Sequence, residues 1–121
     1  MPGAAVFVAM SSYWGRSTAS GVAPYNATKF AIEGLVGGLA KDLVRAAGGG
    51  RGGGGGGGGG GSVAAVAVNP GVIHTEMLEV AFGAAQARRN PSPEEWVQFA
   101  APFLLGLGAR DNGASLTVPN F

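Results

Sequence analysis

The sequence predicts an α/β fold, a parallel sheet covered by helices. Three observations carry the prediction: two short apolar runs without alternation, Ala4 to Met10 and Val63 to Val68, and a long helical stretch between them. Strands buried on both faces read as continuous apolar runs, whereas a strand with one wet face alternates. Strand and helix in alternation along a chain point to parallel strands joined by crossovers, and right-handed crossovers are expected.

The first strand, Ala4 to Met10, ends at Ser11-Ser12, and the Gly-, Ser- and Thr-rich stretch Tyr13 to Ala23 reads as a loop. Pro24 then opens a helix from about Tyr25 to Ala46, because proline is pre-shaped for a first helical turn. Phe30, Leu35, Leu39 and Leu43 can be placed on one apolar face of it. Gly34, Gly37 and Gly38 are poor helix formers that permit close approach of another element, so packing rather than propensity must hold this helix. The tract Gly48 to Gly61, broken only by Arg51, reads as a flexible insertion between helix and strand. It satisfies a G-x-G-x-x-G pattern formally. A dinucleotide fingerprint, however, joins a strand to the following helix so that helix N–H groups meet the pyrophosphate, and here the order is reversed.

The second strand, Val63 to Val68, runs into Asn69-Pro70-Gly71, a turn signal. A short helix is expected from about Thr75 to Ala87, ended by Asn90-Pro91. Ser92-Pro93-Glu94-Glu95 starts another, with Ser as N-cap, Pro at the first helical position and Glu two residues on. It should run to about Leu107, kinked or interrupted at Pro102. Asp111-Asn112-Gly113 makes a turn into the last strand, Ala114 to Val118.

Composition narrows the function. The formal charge is only +1, and Arg88-Arg89 is the one adjacent basic pair, so no electrostatic footprint for nucleic acid exists. No apolar run approaches the roughly 20 residues of a membrane span. With no cysteine, disulfides, thiolate metal sites and a cysteine nucleophile are excluded; this is compatible with a reducing compartment, and the expected location is the cytoplasm. His74 alone cannot build a metal site. Small organic substrates remain. A chain that opens directly on a core-type strand is also expected to be cut from a longer protein.

The chemistry begins at Tyr25 and Lys29, four residues apart at a helix start and therefore on one face. An ammonium beside a phenol stabilises the phenolate left by a proton donor, which suits general acid–base work. Alone the pair is weak evidence, since the same spacing arises by chance at half-exposed helix starts. Ser12 sharpens it, standing at the carboxyl end of a buried strand, where α/β sheets place ligands. The second strand ends at the same edge.

Taken together, Ser11-Ser12-Tyr13-Trp14-Gly15, Tyr25-Asn26-Ala27-Thr28-Lys29 and Pro70-Gly71-Val72-Ile73-His74-Thr75 resemble consecutive blocks of the short-chain dehydrogenase/reductase family. The resemblance covers the whole chain apart from the glycine tract. It implies the last three strands of a Rossmann-like, doubly wound sheet, residues 1–121 forming the C-terminal part of such a domain with an insertion at 48–61. It makes Ser12 the donor to a substrate carbonyl, Tyr25 the proton donor, and Lys29 both the activator of Tyr25 and a ligand of the nicotinamide ribose. Ile73, through its backbone, and Thr75, through its hydroxyl, would meet the nicotinamide carboxamide. Pro70 and Gly71 would pass close to the cofactor, with NADP expected over NAD. Such an enzyme would reduce a small carbonyl compound. The segments Ser12 to Arg16, Asn69 to Leu78 and Asp111 to Val118 are similar to a plant-type group of the family that reduces pterin aldehydes.

Other residues carry plainer expectations. Ser11 is structural. Tyr13 and Trp14 either line a flat substrate pocket or simply pack at the sheet edge. His74 is a polar loop residue, and Glu33 faces away as a solvated or interface residue. The family's nucleotide-binding first half has no counterpart here, which leaves the first strand an open apolar edge and predicts low stability and weak cofactor binding. The rival reading is an inactive fragment that associates with itself or with relatives through the helix starting at Tyr25.

Overall fold

The computed structural model describes residues 5–48 and 63–121. Ala4 and the tract from residue 49 to 61 lie outside them, and with them the expectation of an insertion. The elements are β1 (Ala5–Met10), a single 3-10 turn (Tyr13–Gly15), α1 (Ala23–Ala47), β2 (Val63–Asn69), α2 (Glu76–Phe82), α3 (Ala84–Ala87), α4 (Pro93–Leu105), a second 3-10 turn (Ala109–Asp111) and β3 (Ser115–Thr117). The strands form one parallel sheet in the order β1-β2-β3, with Met10 beside Val68 and Val68 beside Leu116.

β2 is the middle strand and is buried from Ala64 to Asn69, which is why its sequence shows no polar alternation. From Ala65 to Val68 its side chains alternate in size. Ala65 and Ala67 lie under α1, where Val36 is buried and Leu39 and Leu43 pack at the margin, while Val66 and Val68 meet Ala100, Trp96, Phe103 and Leu104 of α4. Small residues on the first face let α1 sit close to the sheet. Asn112 fastens the same layer: its Oδ1 accepts from Ala65 N–H (2.9 Å) and its Nδ2 donates to the Ala40 carbonyl (3.0 Å).

Several expectations change. α1 and α4 cover opposite faces of the sheet, yet β1, β2 and β3 advance in one direction, so the two crossovers have opposite hands and cannot both be right-handed. The right-handed rule describes a strand whose helix packs straight back on the sheet. Between β2 and α4 the chain instead makes the excursion 70–92, which frees that connection from the rule. The buried stripe of α1 runs through Val36, Ala40 and Leu43, and Phe30 and Leu35 lie off it, 45% and 59% exposed. Around Gly34, Gly37 and Gly38 no described atom lies where a Cβ would reach. The helix expected over Thr75 to Ala87 is divided by Gly83, whose φ of +85° ends α2. α4 begins as expected, with Ser92 Oγ accepting from Glu95 N–H, and runs through Pro102 to Leu105. Among the described residues no helix is long and apolar enough to cross a membrane.

Candidate active site

The carboxyl ends of β1 and β2 lie side by side, and Ser11 N–H continues their pairing onto the Val68 carbonyl at 2.7 Å. The chain then turns sharply. Ser12 is the N-cap of the 3-10 turn, its Oγ accepting from Trp14 N–H at 3.2 Å. A hydroxyl engaged as an acceptor keeps its own hydrogen, so Ser12 can still donate to a ligand. The first turns of α1 bring Tyr25, half-buried, edge-on to Trp14 with centroids 5.9 Å apart and planes at 85°. Lys29 Nζ lies 5.5 Å from the centre of the Tyr25 ring and donates one hydrogen bond to the Met10 carbonyl at 3.1 Å. Two of its three N–H groups remain for a ligand.

The second half of the site comes from the excursion after β2. Asn69 Oδ1 accepts from Gly71 N–H (3.0 Å), Trp96 Nε1 donates to the Pro70 carbonyl (2.9 Å), and His74 N–H donates to the Pro91 carbonyl (2.8 Å). Thr75 caps α2 by accepting from Leu78 N–H, and the His74 ring meets the Glu79 carboxylate at 2.5 Å. The close approach that Gly71 permits in this structure is to Phe121, against which any Cβ at position 71 would collide.

These segments line a largely apolar cavity of about 670 Å³ that is half open to solvent. Ser12, Tyr13, Trp14 and Tyr25 line one side, and Pro70, Gly71, Ile73 and Thr75 line the floor, so the structure brings these residues to one place. Lys29 stands behind Tyr25 rather than on the wall. α2 lines it too, through Met77, Leu78 and Phe82, whose ring packs 6.3 Å from that of Trp14. Phe82 carries no distinctive sequence signal. Trp14 is thus a wall residue as well as packing.

Glu33 does not face away. Its carboxylate accepts from the buried Ser11 hydroxyl at 2.5 Å and lies 3.4 Å from Arg16 Nε. Positions 25, 29 and 33 are successive turns of one helical stripe, so the spacing that unites Tyr25 and Lys29 also turns Glu33 inward. Arg16 forks onward to Ser115 Oγ, Thr117 Oγ1 and the Leu116 carbonyl, tying the Ser12 turn to β3. Asn26, also overlooked in the sequence, is buried beside Tyr25 and bonded to the same turn.

The fold is part of a short-chain dehydrogenase fold, and the similarity to members of that family runs over nearly the whole length of this chain. The chain is 45% identical over 93% of its length to an NADPH-dependent pterin aldehyde reductase of Arabidopsis thaliana, of which it spans 40%. A short-chain dehydrogenase from Pseudomonas syringae superposes with a TM-score of 0.69 at 28% identity, covering 95% of this chain and 41% of that one. Another, from Escherichia coli and complexed with NADPH, gives 0.67 at 23% identity, covering 93% and 40%. No family model matches the chain.

Proposed function

We propose that this chain carries the carbonyl-reducing site of an NADPH-dependent short-chain reductase acting on a flat aromatic aldehyde of the pterin type. One observation supports the reading: Ser12 and Tyr25 line one apolar cavity and Lys29 Nζ lies 5.5 Å from the centre of the Tyr25 ring, with the Ser12 hydroxyl hydrogen and two Lys29 N–H groups uncommitted by the bonds each already makes. The similarity to a pterin aldehyde reductase, 40% of whose length the chain spans, supports the substrate class.

In this reading Ser12 donates to the aldehyde oxygen and fixes its position. Tyr25 gives its phenolic proton to that oxygen as negative charge gathers there, and the Lys29 ammonium stabilises the phenolate left behind. NADPH, when bound, supplies the hydride that the carbonyl carbon receives. The donor set fits the nicotinamide end of that cofactor: Lys29 and Tyr25 would hold the ribose hydroxyls, and the Ile73 backbone and Thr75 hydroxyl the carboxamide. Trp14 and Phe82 offer apolar ring surface to a flat substrate.

The test is a titration of the purified chain with NADPH and NADH, followed by nicotinamide fluorescence, then NADPH oxidation with a pterin aldehyde. Saturable NADPH binding and aldehyde-dependent oxidation, both lost in the Tyr25→Phe, Lys29→Ala double variant, are expected. Absence of binding up to millimolar cofactor refutes the reading for the chain on its own. It would leave the second reading, association through α1, favoured by the open space around Gly34, Gly37 and Gly38 beside exposed Leu35. Sedimentation of the same sample checks that alternative.

A further inference from the structure

We propose that Asn26 is the positioning residue that fixes the Ser12 turn against the helix bearing Tyr25 and Lys29. The inference rests on the reading of Ser12 and Tyr25 as the reacting pair. Asn26 follows Tyr25 directly, within the first turns of α1, and is only 7% exposed. An asparagine buried this deeply needs partners for its amide. All of them come from one segment. Its Nδ2 donates to the Trp14 carbonyl and to the Ser17 carbonyl, both at 2.8 Å, and its Oδ1 lies 3.4 Å from Ala19 N–H.

The segment so held is a unit in itself. Ser12 Oγ accepts from Trp14 N–H, Gly15 N–H donates to the Ser12 carbonyl, and both Arg16 and Ser17 N–H donate to the Tyr13 carbonyl. Trp14 therefore links three things: its N–H orients the Ser12 hydroxyl, its carbonyl receives Asn26, and its ring meets Tyr25 edge-on. Moving that carbonyl moves Ser12 and the cavity wall together relative to Tyr25. The other tethers of the turn act elsewhere, Glu33 on Ser11 and Arg16, and Arg16 on β3. Neither reaches Trp14.

Asparagine suits the task for a chemical reason. On a side chain this short, only an amide offers two N–H donors with an acceptor. Aspartate at neutral pH would present lone pairs to two carbonyl oxygens; serine offers one donor; alanine offers none.

The experiment compares Asn26→Ala and Asn26→Asp with Asn112→Ala in the full chain. The last removes another amide bridged between elements, at the Ala40–Ala65 junction, outside the cavity. Two readouts are taken: the nuclear Overhauser contacts between the Trp14 and Tyr25 rings, and kcat and KM for NADPH-dependent reduction of a pterin aldehyde. Both Asn26 variants should lose the ring contacts and lower kcat by on the order of 10²-fold, the scale of an ångström of misplacement, while KM for NADPH holds. Asn112→Ala should lower the melting temperature and leave both readouts intact. Ring contacts that persist in Asn26→Ala, or that vanish equally in Asn112→Ala, overturn the assignment. If the wild-type chain reduces nothing, the functional reading fails alone and the ring contacts still decide the role of Asn26. Should Asn26→Ala not fold, Asn26→Ser, which keeps one donor, carries the same two readouts.

Discussion

Replacing Gly71 by alanine should destabilise the chain by two separable amounts. The residue has φ +87°, in the left-handed region, where a side chain costs about 1–2 kcal/mol. A Cβ built there would lie 2.9 Å from the carbonyl carbon of Phe121 and 3.2 Å from its Cα, and nearer still to its Cβ. Relieving such an overlap requires backbone shifts, worth roughly 1–3 kcal/mol more. The sum, about 2–5 kcal/mol, is a large share of an ordinary domain's stability. Urea unfolding followed by tryptophan fluorescence measures it. Repeating the substitution in a chain ending at Asn120 removes the overlap and leaves only the left-handed term. The reasoning is refuted if Gly71→Ala costs less than about 1 kcal/mol in the full chain, or the same in both backgrounds.

Three further outcomes follow from single contacts. Glu33→Ala deprives the buried Ser11 hydroxyl of its acceptor and should cost about 1–3 kcal/mol in denaturant unfolding, whereas Glu33→Gln, which keeps an acceptor oxygen, should cost less. Trp96→Phe removes the bond to the Pro70 carbonyl, a loss of about 1 kcal/mol, and should speed amide exchange selectively at Val72 to Thr75. Tyr25→Phe should lower aldehyde reduction by roughly 10²–10⁴-fold in steady-state assays, the range for losing a positioned proton donor, without unfolding the chain.

What could be read beforehand divides by the range of the interaction. Elements governed by neighbours in sequence were legible: the unbroken apolar run of a central strand, the Ser92 cap three residues before Glu95, the turn at Asn69-Pro70-Gly71, and Tyr25 and Lys29 on one stripe. Continuing that stripe by one turn reaches Glu33, so its inward position was available from spacing alone. The buried face of α1 was legible only at Leu39 and Leu43, because its glycines leave the apolar stripe poorly defined and the small residues Ala65 and Ala67 beneath it admit Val36 and Ala40. Asn26 and Arg16 were out of reach for a different reason. Their partners sit in an irregular turn and on β3, and no local pattern announces a bond from residue 16 to residue 117.

The hand of the second crossover and the shape of the site have one cause. Had β2 fed α4 directly, a right-handed return would have laid that helix on the face already held by α1. The excursion 70–92 delivers α4 to the opposite face, and on its way α2 supplies Met77, Leu78 and Phe82 to the cavity wall, Phe82 packing beside Trp14. That wall is thinly supported, with Met77 66% and Val80 84% exposed and no buried residue in α2. Segments with few buried apolar contacts open at lower free energy than core strands, so amides of Glu76 to Ala87 should exchange well before those of β2. Saturating NADPH and aldehyde should slow that exchange if the wall closes on a ligand. Exchange in α2 as slow as in β2 without ligand would mean that the wall is part of the rigid core and that its position does not depend on what the cavity holds.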